Sequence, residues 1–267
     1  MKKIIALVLV MMMVVATLAA CGNNNGSGSE GSSDGDLAAV TKKGKLIVGI
    51  TDFEPMDYND ENGNWIGFDA DMATKFAESL GVEVEFVEID WDNKVLELDG
   101  GTVDCVWNGM TLTPEVTSAM SCSDPYMNNA QVVVVNSDVA DKYQTVEDCK
   151  ELNFAVESGS AGQTEAEANG LNVTEVKDQA TALMEVASGT SDAAIIDSLM
   201  AAAMVGDGTS YDKLTYTASL NSEEYGVGFR KGSDLTAKCN EFFAAAKADG
   251  SMESVAETYK VQAALIK

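Results

Sequence analysis

A chain of 267 residues, 46% hydrophobic and 22% charged, is long enough for one large domain or two small ones and can fill a core. Its 17 basic and 43 acidic residues leave a formal charge of −26. That excludes the basic face a nucleic-acid backbone requires and a polybasic hold on anionic lipid, and it only weakly favours cationic ligands by steering. The absence of histidine excludes Ser-His-Asp and Cys-His catalysis and most zinc or copper sites.

Lys2 and Lys3 precede the apolar run Ile4–Ala16, and Leu18-Ala19-Ala20-Cys21 follows. This is the layout of a secretory signal peptide over residues 1–20, and the run is short for a membrane span. Leu-Ala-Ala-Cys resembles the lipobox of bacterial lipoproteins. The resemblance implies that Cys21 becomes a lipidated N-terminus that anchors the protein outside the cytoplasm. From Gly22 to Asp36 there is no apolar residue, so residues 21–36 read as a lipid-anchored flexible linker.

The apolar run Lys45–Ile50 reads as a buried strand, and Tyr58–Phe68 as a hairpin turning at Asn62-Gly63. The acids there do not form a calcium loop, because Gly63 at the sixth position puts Tyr58 at the first. Phe68, Met72, Phe76 and Leu80 recur every four residues, predicting an amphipathic helix stopped by Gly81. Val82–Val87 alternates as a strand, Trp91 follows in a loop, then come a short helix and the strand Val103–Trp107. Asn108–Tyr126 carries the chain from this half to the apolar run Val132–Val135. The pattern then restarts: the strand Asn153–Val156, a helix opening at Gly159-Ser160-Ala161-Gly162, and a helix marked by Ala180, Leu183, Met184 and Ala187 before Gly189. The strand Ala193–Ile196 closes on Asp197. The strand Gly226–Arg230 follows, then a helix with Leu235, Cys239, Phe242 and Ala246 on one face and another with Met252, Val255 and Tyr259. Cys105, Cys122, Cys149 and Cys239 match no metal spacing; outside the cytoplasm they allow disulfides in three full pairings, while the apolar strand around Cys105 and the apolar helical face of Cys239 favour buried free thiols.

Alternating strands and helices predict an α/β fold in two lobes. Phe53, Trp91, Asn108–Thr111, Gly159–Ala161 and Asp197 all follow strands, where ligands bind in such sheets, so they converge on one cleft.

At these residues the chain resembles the amino-acid-binding family of solute-binding proteins that serve ABC importers. The segments are Asn62-Gly63 through Asp69, Val103-Asp104, Gly109-Met110-Thr111-Leu112-Thr113-Pro114-Glu115, Ser123-Asp124-Pro125-Tyr126 and Tyr225 through Gly232. The resemblance implies a two-lobed periplasmic-binding-protein fold of type II. Residues 37–131 and 223–267 would form one lobe and 132–222 the other, with hinges near Asn128–Gln131 and Leu220–Glu224. It implies a monomer, no cofactor, an importer permease as partner and a small amino-acid-like or amine ligand. Phe53 and Trp91 then sandwich the ligand side chain, and the Gly109 carbonyl in the Asn108–Thr111 turn accepts from its ammonium. Thr111 lies near its polar head, Asp197 pairs with the ammonium, and Ser160 and Ala161 close on its carboxylate.

The departure falls on the carboxylate side. Where the family has a clamping arginine this chain has Val116, and its single arginine, Arg230, reads as structural. The hydroxyl usual at position 161 is also absent, and Lys94 is expected in a helix packed on the sheet. An ordinary α-amino acid is therefore in question. Two other functions compete: a dehydratase-like enzyme using Glu54, Glu115 and Asp197, and a sensory ectodomain. The enzyme lacks histidine or a metal set, and the ectodomain would precede a membrane helix, which the sequence up to Lys267 does not contain.

Overall fold

The computed structural model describes residues 35–267; the signal segment, Cys21 and the tether up to residue 34 lie outside them. Asp36, read from composition as the end of the tether, instead opens helix α1 (Asp36–Lys43). Its carboxylate pairs with Arg230, and the Leu37 N–H donates to Asp234, so the helix is stitched to the chain's return segment.

Strand β1 (Lys45–Ile50) follows, then the two-residue arms β2 (Tyr58–Asn59) and β3 (Trp65–Ile66). Asp60 accepts the Asn62 and Asn64 N–H groups at 2.8 Å between these arms, so its carboxylate ties the turn. Helix α2 (Phe68–Ser79) buries Phe68, Met72 and Phe76, the four-residue spacing that the core demands. Next are β4 (Glu83–Glu88), a 3-10 turn at Trp91–Asn93 and α3 (Lys94–Asp99). Strand β5 (Cys105–Val106) is shorter than the apolar run suggested. It leads to α4 (Pro114–Ala119), capped by Thr113, then β6 (Ser121–Cys122) and β7 (Met127–Asn129).

The second half contains β8 (Gln131–Asn136), β9 (Asn153–Glu157), α5 (Ala161–Ala168), β10 (Asn172–Val176) and α6 (Gln179–Ser188). It ends with β11 (Ala193–Asp197), α7 (Ser198–Met204) and β12 (Leu214–Ser219). The buried face of α6 is Gln179, Ala182, Leu183 and Val186. Met184 is 56% exposed and Ala187 is also exposed, which corrects the face read from the apolar positions. An alanine-rich helix offers several apolar stripes, and only the sheet beneath selects one. The chain returns through β13 (Glu223–Tyr225) and β14 (Gly228–Phe229) to α8 (Leu235–Asp249) and α9 (Ser251–Thr258). On α8, Phe243 rather than Phe242 is buried beside Leu235, Cys239 and Ala246.

Two five-stranded sheets result, ordered β4-β1-β5-β14-β6 and β10-β9-β11-β8-β12. In the first, β1 is parallel to β4 and β5, while β14 runs antiparallel to β5 and β6. In the second, β9 is parallel to β10 and β11, while β8 is antiparallel to β11 and β12. The crossings β7 and β13 pair antiparallel with each other, Asn129 opposite Glu223 and Met127 opposite Tyr225. Residues 35–267 therefore form two α/β lobes joined at a two-stranded waist. Beneath the first sheet Phe76, Trp107, Tyr126 and Phe243 form an aromatic cluster, with Trp107 and Phe243 edge-on at 5.4 Å. Cys105, Cys149 and Cys239 are buried free thiols and Cys122 a half-buried one. Among the described residues no helix is long and apolar enough to cross a membrane.

Candidate functional site

A cavity of about 260 Å³ opens at the carboxyl ends of the parallel strands of both sheets. Phe53, Trp91, Asn108, Gly109, Thr111, Ser160, Ala161 and Asp197, the positions picked from the sequence, all line it. Lys94, Glu157, Gln131 and Gln179 join them.

Phe53 follows β1 and is 2% exposed, its ring edge-on to Tyr225 with centroids 6.4 Å apart. It packs against Gly109, where a Cβ would fall 2.4 Å from the Phe53 ring and φ is +53°, so glycine is required twice over. Asn108 lines the cavity, yet its side chain is committed to the scaffold. Oδ1 accepts from the Thr51 N–H at 3.0 Å and Thr51 Oγ1 at 2.7 Å, and Nδ2 donates to Thr51 O and Asp57. What Asn108 does is join the end of β1 to the end of β5.

Behind this turn sit two fully buried acids that the sequence reading did not pick for the site. Asp69 Oδ2 accepts the Gly109 N–H at 2.6 Å and the Tyr126 hydroxyl at 2.8 Å, and Asp57 Oδ2 accepts from Asn108. The other oxygen of each has no partner among the described residues. Burial raises Asp69 to about 7, and burial with the neighbouring Asp69 carries Asp57 well above the usual range. Burial and mutual repulsion thus favour the protonated form of the pair, while Asp69 fixes the Gly109 backbone and Asp57 the Asn108 side chain from below.

Asp197 ends β11 at the position before α7, yet its side chain makes no capping bond to that helix. Its Oδ1 accepts from the Tyr225 hydroxyl at 2.7 Å, from Gln131 at 3.0 Å and from Asn129, and its Oδ2 from Gln179. Burial first, then the charge of Glu223, raises Asp197 to about 7. Glu223 on β13 accepts from Thr111, Asn129 and Gln131, so the waist and the Asp197 carboxylate share one network.

Glu157, at the end of β9, was missed although the same strand-end rule would have found it. It is 3% exposed and receives a long 3.4 Å bond from Thr51, with the Gln179 amide nearby. Burial, then Asp197 and Asp178, raises it to about 8.

Ser160 caps α5 by accepting the Gln163 N–H at 3.1 Å. Val116 is 4% exposed among Trp91, Val106 and Met110 and offers the cavity only methyl groups. Arg230 holds Asp36 and the Val103 carbonyl, which agrees with its structural reading. Lys94 opens α3, a helix packed on β1 and β5 as expected, but its side chain reaches further. Its ammonium enters the cavity and donates to the Gly159 carbonyl at 2.8 Å, and burial lowers its pKa.

With this geometry in view, comparison with known proteins gives a consistent answer. Residues 46–262 match the bacterial extracellular solute-binding proteins, family 3. The arginine-binding extracellular protein of Bacillus subtilis is 31% identical over 239 residues, covering 86% of this chain and 89% of that one. An L-cystine-binding protein of Escherichia coli is 27% identical over 233 residues, 85% and 87% of the two chains. The crystal structure of a variant arginine-binding protein from T. maritima superposes with a TM-score of 0.79 at 32% identity, covering 84% of this chain and 98% of that one. A cyclohexadienyl dehydratase of Pseudomonas aeruginosa is a more distant match, 26% identical over 180 residues, 66% of this chain and 67% of that one.

Proposed function

Because this chain belongs to the bacterial extracellular solute-binding proteins of family 3, we propose that its cleft captures a small cationic amino-acid-like or amine solute and that the protein delivers it to an ABC importer. It is a binding protein rather than an enzyme: the matched relatives with the broadest coverage carry binding-protein names. The observation that carries the cationic reading is the charge of the cavity wall. Asp92, Glu115, Glu157, Glu167 and Asp197 line it against the single cation of Lys94. Two of these acids, Glu157 and Asp197, are buried and make no ion pair among the described residues, and a ligand cation would let both ionise. Phe53 and Trp91 supply the apolar faces for its side chain.

The lobes, residues 37–131 with 223–267 and residues 132–222, close by bending near Asn128–Gln131 and Leu220–Glu224. The mature protein works outside the cytoplasm as a monomer held by lipid at Cys21, and residues 21–34 give the reach to meet a permease. A thermal-shift and calorimetric screen of amino acids, amines and small peptides tests the reading. Basic solutes are expected to raise the melting temperature most. If only acidic solutes bind, the reading fails.

A further inference from the structure

The following rests on the reading that Asp197 meets a positive group of the solute, and concerns a residue that does not itself line the cavity. Glu223 stands half-buried on β13, at the waist. Its Oε1 accepts from Thr111 Oγ1 at 2.8 Å, Asn129 Nδ2 at 2.7 Å and Gln131 Nε2 at 2.8 Å, and its Oε2 from Asn221 Nδ2 at 2.8 Å. The Asn129 and Gln131 nitrogens also donate to Asp197 Oδ1, Gln131 at 3.0 Å. An NH₂ group has two protons, so each amide gives one to each acid, and two carboxylates are held side by side by neutral groups alone. Neither acid makes an ion pair among the described residues.

A carboxylate only accepts, so Glu223 fixes the direction of every bond it makes. Thr111 lines the cavity, and its hydroxyl spends its one proton on Glu223, which leaves only lone pairs for a group in the cavity. The Asn129 and Gln131 amides are held with nitrogen, not oxygen, against Asp197, because a flipped amide would set its oxygen against two acids. The charge of Glu223 also acts on Asp197 and, after burial, raises it. The other titratable groups around Asp197 are Tyr225 of β13, which donates to it at 2.7 Å, and Glu157 of β9, which Asp197 and Asp178 raise in turn. On its other side Glu223 neighbours Glu165 of α5 through Asn221 Nδ2, which donates to both.

We propose that Glu223 is a positioning residue for ligand capture: without touching the solute, it aims the Thr111 hydroxyl and the Asn129 and Gln131 amides so that the solute's positive group meets acceptors beside Asp197. The three donors come from the turn after β5, from β7 and from β8, so one carboxylate at the waist orders groups from both sheets. Its orienting power lies in Oε1 as an acceptor, and its effect on Asp197 lies in its charge. Glutamine keeps the first and removes the second, at the expense of the Asn221 bond to Oε2. Methionine removes both.

Titration calorimetry at pH 8 with L-lysine, L-arginine and 1,5-diaminopentane selects the probe that the native protein binds most tightly, and that probe is then titrated into Glu223→Gln and Glu223→Met. Glutamine is expected to keep affinity within about threefold and methionine to lose roughly tenfold, the upper range for one neutral hydrogen bond. Equal losses in the two variants would overturn the proposal, because charge alone would then account for Glu223, and so would native affinity in both. A second readout needs neither ligand nor the methionine variant. By NMR of protein isotope-labelled at the aspartate carboxyl carbon, the Asp197 signal is identified by its absence from Asp197→Asn. It should titrate at lower pH in Glu223→Gln than in the native protein, since a neighbouring negative charge is gone. A midpoint that does not move would overturn the proposal as well. If the native protein binds none of the three probes, the cationic reading falls and takes this inference with it, whereas a bound probe with equal losses removes this inference alone.

Discussion

Replacing Asp197 by asparagine removes one negative charge and turns one carboxylate oxygen into an NH₂ group. Oδ1 keeps its donors Asn129, Gln131 and Tyr225, and the new NH₂ falls opposite the Gln179 amide. Gln179 must then rotate, at the expense of the 2.8 Å bond its Oε1 accepts from the Asp197 N–H. One or two hydrogen bonds are lost at about 1 kcal/mol each, partly offset because an uncharged group is easier to bury. A chain of this size should melt a few degrees lower, at about 2–4 °C per kcal/mol. Binding of a cationic ligand should suffer more, because a charged hydrogen bond is worth ~1.5–3 kcal/mol, or about 10- to 150-fold in affinity. A second signature separates the two effects. Asp197 sits at about 7 in the free protein, so below that pH a proton competes with the ligand cation. Native affinity should rise by up to about tenfold per pH unit for each acid the ligand ionises and level off only above about 8, where Glu157 has also lost its proton, and the asparagine variant should be flatter because only the Glu157 part remains. Calorimetric titration from pH 5 to 8, with melting curves on the same samples, measures both. Unchanged affinity in a folded Asp197→Asn protein, with the native pH slope retained, would refute the reasoning.

Three further outcomes are expected. Asp69 and Asp197 at about 7 and Glu157 at about 8 are all raised above ordinary carboxylate values, chiefly by burial. Their stabilising contribution is complete below the unfolded carboxylate range and is lost as pH rises through 7 to 8, by at most ~1.4 kcal/mol per unit for each group. Melting temperatures of the ligand-free protein should therefore fall from pH 5 to 8.5, and a rise would contradict the assignment. Small-angle scattering should show a smaller radius of gyration when ligand saturates the cleft, since β7 and β13 form the waist between the lobes; an unchanged profile at proven saturation would argue against closure. Cys21→Ala should release the protein from the membrane fraction or block its maturation, and a variant that stays anchored and lipidated would exclude Cys21 as the anchor.

Much of this molecule was legible in its residues, because local periodicity and turn chemistry act over a few positions. The spacing of Phe68, Met72 and Phe76 determined which side of α2 meets the sheet, and Asn62-Gly63 determined a turn. The ends of the strands indicated where a cleft must open, and Phe53, Trp91, Gly109, Thr111, Ser160, Ala161 and Asp197 line it. The tertiary structure decided matters that depend on segments far apart in the chain. Lys94 reaches Gly159 across 65 positions, and Asn108, which lines the cavity, has its side chain held by Thr51 across 57, so that it clamps the scaffold. Whether Asp57, Asp69, Glu157 and Asp197 carry protons depends on burial and on neighbouring acids, and no local pattern encodes either. Periodicity identifies an apolar face, as on α6, but several faces can qualify when a helix is rich in alanine. Only the packed sheet chose Val186 over Met184, because what a side chain meets is a property of the fold and not of the helix alone.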